Sequence, residues 1–124
     1  MTITYTTDLA GVRSLVRAEA SAAGLSRARV ADLVLAVSEV AANTVRHARS
    51  AGTLTITRDP GEIVCEVRDA GVITDPLAGR RTPAPGALNG HGLWLVYQVC
   101  DEVELLSGAG GTTVRMHMQI DDRD

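Results

Sequence analysis

"LAVSEVAANTVRHA", residues 35–48, reads as the second half of a helix that starts after Ser26. Val30, Leu33, Val34, Val37 and Ala41 recur at helical spacing and form one apolar face, which the pattern carries to about Ala48. Across from that face, Glu39, Asn43 and His47 recur at every fourth position, with Arg46 beside them. Two readings are open. A solvated stripe is the plainer one for an arbitrary helix. Against it, Asn has poor helix propensity and gains little from exposure in mid-helix, so the stripe could also hold a ligand.

Upstream, Thr2 to Thr6 alternate branched and polar side chains, as an edge strand does. Asp8 is placed to cap a first helix through Leu9, Val12, Leu15, Val16 and Ala20, which Gly24 ends. Downstream the period changes from helical to alternating. "TLTITRD" and "EIVCEVRD" flank the turn Pro60-Gly61 as a hairpin. Gly71 to Gly90 has no periodicity, and the part from Ile73 to Asn89 is too long for a plain connection, which predicts a lid or binding loop. A short helix near Gly92 carries Leu93, Val96, Tyr97 and Cys100, and "EVELLS" and "TTVRMHMQI" follow around "GAGG". Strands and helices thus fall in blocks. That order predicts an α+β fold: a two-layer sandwich whose mixed, mostly antiparallel sheet is covered on one face by helices.

The 124 residues are expected to form a single domain, residues 1–124, with "DDRD" (121–124) as an acidic tail. Formal charge is −3 and the pI near 5.5, so broad attraction to nucleic acid is not expected. All 12 basic residues are arginine. Without lysine, a Walker-type phosphate loop and lysine Schiff-base chemistry are excluded. No apolar run approaches a membrane span and no basic-then-apolar leader opens the chain, so the cytoplasm is the expected compartment. Cys65 and Cys100 share no paired spacing and sit among apolar neighbours, which favours two buried thiols and leaves a disulfide as the alternative. With His47, His91 and His117 they show no zinc-ligand spacing.

Three further stretches bear on chemistry, and each has a plain alternative. "VRDAG" ends a strand with Asp69 and Gly71: either a common turn, or a carboxylate acceptor beside a backbone free to bend. "NGHGLWLV" sets Gly90 and Gly92 before a helix: either a joint, or amides that can receive phosphate without lysine. "GAGGTT" makes a tight hairpin, after which Thr112 can offer a hydroxyl.

Taken in order, helix Glu-x-x-x-Asn, strand-end Asp-x-Gly, long loop, Gly-x-Gly-Leu and Gly-Thr resemble the nucleotide-binding pattern of the ATPase superfamily shared by gyrase, heat-shock chaperones, histidine kinases and mismatch-repair proteins. The resemblance runs from about Leu9 to Ile120. "SEVAANTVRHA" and the short length resemble the anti-sigma-factor serine kinases of Gram-positive bacteria. "DPLAGRR" and "HGLWLVYQVCD" are similar to the kinase-like C-terminal domain of actinobacterial anti-sigma regulators, either as a stand-alone version or as an excised domain.

The resemblance implies the Bergerat ATP-binding fold, with ATP and Mg²⁺ as cofactors. Glu39 would be the general base. Asn43 would be the Mg²⁺ ligand, its side-chain oxygen a hard donor for a hard ion. Asp69 would accept from the adenine amino group, with Gly71 allowing close approach of the base. Gly90, His91, Gly92 and Leu93 would line the phosphates, and Thr112 the adenine end. Residues 73–89 would be the ATP lid, from which Arg80 or Arg81 could reach a phosphate or an acidic group. Ile73 stands where many relatives carry a second glycine, which implies a stiffer loop. The implied function is a serine/threonine protein kinase that sequesters a sigma factor and phosphorylates an anti-anti-sigma antagonist. Relatives of this kind commonly dimerise, and neither nucleic acid nor membrane is an expected partner. Two alternatives remain at this level: a non-catalytic partner-binding module that uses ATP to order itself, and the ATP-binding domain of a sensor histidine kinase.

Overall fold

Two helices start where a capping side chain meets the first free amides. In the computed structural model, which describes residues 1–45, 51–71 and 91–120 (for His91 the backbone only), Asp8 accepts from the Gly11 N–H at 2.9 Å and opens α1, Leu9–Ala23. Gly24 closes it in the left-handed conformation, φ 100°, where a side chain would be strained. Ser26 accepts from the Arg29 N–H at 3.2 Å and opens α2, Arg27–Asn43. Thr44 still has helical backbone angles, and the helix expected to reach Ala48 is described as far as Val45.

Five strands make one sheet in the order β1-β2-β3-β5-β4, with β1 Thr2–Tyr5, β2 Gly52–Asp59, β3 Glu62–Asp69, β4 Glu102–Gly108 and β5 Gly111–Gln119. Every pairing is antiparallel, which sharpens the mixed, mostly antiparallel expectation. The register puts Leu54, Ile56, Ile63, Cys65, Val67, Val114, Met116 and Met118 on one buried face. All three helices cover that face. α2 lies over β3 and β5, with α1 on the β2 side and α3, His91–Val99, on the β4 side.

α2 is the centre of the core. Val30, Leu33, Val34, Ala36, Val37, Val40 and Ala41 are all buried, so its apolar arc is wider than the five positions read from periodicity. Each fully buried Val or Leu contributes roughly 1.5–3 kcal/mol. Arg29 locks α3 beside α2 by donating to the Val99 carbonyl at 3.0 Å and to Asp101 Oδ2 at 3.0 Å. The other sheet face carries Glu62, Glu66, Arg68, Glu104, Arg115 and His117 in a ladder of ion pairs. Both cysteines are buried free thiols; burial pushes Cys65 up to about 12, with Cys100 nearby adding to the rise.

Candidate functional site

Glu39 and Asn43 are half-buried rather than freely solvated. α2 packs against α3 on that side, and Glu39 comes close to a glycine there. A Cβ built on Gly92 would lie 2.9 Å from Glu39 Oε2. The carboxylate therefore rests against the first turn of α3, where the unpaired amides of a helix start favour negative charge. Leu93, expected beside the phosphates, stands in the same turn with its side chain partly buried against the core.

Past the end of α2, two hydroxyls brace the turn that follows β3. Thr44 Oγ1 donates to Asp69 Oδ2 at 2.8 Å, and the Gly71 N–H donates to Asp69 Oδ1 at 2.8 Å. This is an Asx-turn with one oxygen tied back to a helix. On the other side, Thr112 Oγ1 donates to the Gly71 carbonyl at 2.7 Å and lies 2.7 Å from Ser107 Oγ. Thr112 is buried and is the register partner of Asp69, so its hydroxyl acts on the turn itself. Gly111 has φ 116°, and a Cβ there would collide with the Asp69 carbonyl oxygen; glycine is what lets the β4–β5 hairpin close onto β3. Asp69 and Thr112 line an open groove with Arg68, Leu105, Ser107 and Gly110.

Behind Thr44 stands Tyr5, whose hydroxyl donates to Thr44 Oγ1 at 3.0 Å. Neither residue was picked out by motif spacing. Thr44 had one signal: it continues the core stripe Val30, Leu33, Val37, Val40 by helical spacing, a polar side chain on an apolar face. Gly90, Arg80, Arg81, His47, Ile73 and the lid 73–89 lie outside the described residues, as does the tail 121–124; for His91 only the backbone is described.

Two other features stand apart from this site. On the open sheet face, Glu102, Glu104 and His117 come close enough to share an ion, but His117 is already engaged by Glu62 and Glu104 at 3.3 and 2.6 Å. Along the α1–α2 seam, Arg13, Arg17 and Arg27 border Val30, Val34 and Leu35, the last 40% exposed. No ion pair to another described residue engages these arginines.

An open antiparallel sheet under three helices, with this ordered set of residues at one end, defines an ATPase domain of the histidine kinase-like type. A family model described as histidine kinase-like ATPase domain matches residues 4–118, and the chain belongs to that family. Among solved structures, that of the RsbU and RsbW domains of Rv1364c from Mycobacterium tuberculosis is similar in fold, with TM-score 0.66 and 20% identity. The similarity covers 97% of this chain and 32% of that one, so the chain spans about a third of the length of that relative. No curated protein matches the sequence. No helix among the described residues is long and apolar enough to cross a membrane.

Proposed function

We propose that this chain is an ATP-binding anti-sigma regulatory factor that phosphorylates a serine of an anti-anti-sigma antagonist and so controls sigma-factor availability. The observation that carries the reading is the approach of the Glu39 carboxylate to Gly92 at the start of α3. It sets a base beside the helix start where phosphates are favoured, one helical turn from Asn43 on the same stripe.

The donor set suits the cofactors the family implies. Asn43 and Glu39 offer oxygen, the donor type Mg²⁺ takes, and α3 offers backbone amides. Asp69 and Gly71 would hold the adenine, Asn43 the Mg²⁺, and Gly90, His91 and Gly92 the phosphates. When bound, Mg-ATP supplies the phosphoryl group to be transferred. Glu39 takes the proton of the incoming serine hydroxyl onto its carboxylate, and Gly92 keeps that oxygen unobstructed. Thr44 and Thr112 hold the Asp69–Gly71 turn in place throughout.

The arginine-bordered seam of α1 and α2 supports a protein partner with acidic groups. Phosphorylating an antagonist removes complementarity at its own contact with the kinase, away from this seam, by adding charge, and so exchanges one partner for another, work that belongs to the cytoplasm. The test is transfer from labelled ATP to a purified antagonist of this class. Phosphoserine that disappears in Glu39→Ala, while that variant still binds ATP, is the expected result. ATP binding without transfer to any antagonist points instead to a non-catalytic module. Acid-labile, base-stable phosphohistidine points to a histidine kinase's ATP-binding domain.

A further inference from the structure

We propose that Tyr5 and Thr44 form a one-way hydroxyl relay that holds Asp69 as a pure acceptor and thereby selects a purine with a 6-amino group over one with a 6-oxo group. The inference rests on the nucleotide reading above and adds two positioning residues to it.

The direction of the relay follows from counting protons. Each hydroxyl has one proton to give. As a carboxylate, Asp69 has none, so the 2.8 Å contact is satisfied only by the Thr44 proton. Tyr5, 3.0 Å from the same Thr44 oxygen, must then give its own. Water does not compete, because Thr44 is 0% and Tyr5 4% exposed. Gly52, paired with Tyr5 across β1 and β2, makes the arrangement possible: a Cβ there would strike the Tyr5 ring. Burial raises the Tyr5 phenol above its ordinary value, outweighing the opposing bond to Thr44, and the Asp69 charge adds to the rise, so the phenol stays a donor.

Asp69 is thus held on both oxygens, by Thr44 and by the Gly71 N–H. Its remaining lone pairs have a fixed direction and can only accept. A 6-amino group donates to such an acceptor. A 6-oxo group meets it lone pair to lone pair, and both groups are left unsatisfied, which is how a hydrogen-bonding pocket rejects the wrong substrate.

Equilibrium binding of ATP and ITP to the 124-residue chain and to Tyr5→Phe, Thr44→Val and Thr44→Ser tests this. Wild type should prefer ATP. Thr44→Val should narrow that preference by about tenfold, the equivalent of one charge-assisted hydrogen bond, and Tyr5→Phe by about threefold. Thr44→Ser, which keeps the hydroxyl, should keep the preference. Should Thr44→Val fail to fold, Tyr5→Phe against Thr44→Ser still decides. An unchanged ATP-to-ITP ratio in folded Tyr5→Phe and Thr44→Val overturns the relay alone. Equal loss of both nucleotides in all three variants also overturns it, because the hydroxyls would then serve only the fold. Wild type that binds neither nucleotide overturns the nucleotide reading and the relay with it.

Discussion

Gly111 shows how much one backbone angle controls. Its φ of 116° and its contact with the Asp69 carbonyl leave no room for a side chain. Gly111→Ala should cost about 2 kcal/mol or more, from left-handed strain plus displacement of the hairpin, read by urea denaturation. As candidates, Glu39, Asn43, Asp69, Gly71, Gly92 and Thr112 were readable beforehand, because their spacing along the chain is itself the pattern. Tyr5 and Thr44 were not. Their meaning lies in partners 39 and 25 residues away, and a tyrosine in an edge strand has many ordinary uses. Thr112 was anticipated as a ligand contact, yet its proton goes to the Gly71 carbonyl, a direction that spacing does not encode.

At the scale of elements, α2 serves the core and the site with the same seventeen residues, Arg27–Asn43. Leu33 is fully buried at its middle, and Leu33→Ala should lose roughly 2–5 kcal/mol, measured by denaturant unfolding with an unchanged m-value. Both ends of α1 and the start of α2 were legible because Asp8, Gly24 and Ser26 act locally, within a few residues of the amides and carbonyls they satisfy. The β2–β3 hairpin was legible for the same reason, at Pro60-Gly61. What periodicity understated was the breadth of the α2 arc. A helix flanked by α1 and α3 and floored by a sheet buries more than one stripe, and how many neighbours it will have is settled by tertiary packing.

For the whole molecule, the two sheet faces answer to different forces: one is covered by helices, the other is charged. On the charged face, partial burial of His117 opposes its protonation but is outweighed by Glu104 and Glu62, so its pKa stands above 6.5. Its stabilisation is therefore complete below the unfolded value of 6.5 and fades as pH rises through the higher folded value. Glu104 runs the other way. Held below 4.5 chiefly by the hydrogen bond from His117, it contributes above that value and loses its contribution as pH falls through the folded one. His117→Gln should lower the melting temperature most near about pH 6 and least above about pH 8, a difference that thermal scans across that range would reveal.

The sheet order has a consequence for synthesis. β5 sits between β3 and β4, yet it leaves the ribosome after both. Until it is inserted, β3 has an open edge and Gly71 lacks the brace from Thr112. A nascent chain halted before Thr112 carries every other residue of the Asp69–Gly71 turn without its last support, so the braced turn forms only after β5 has been made.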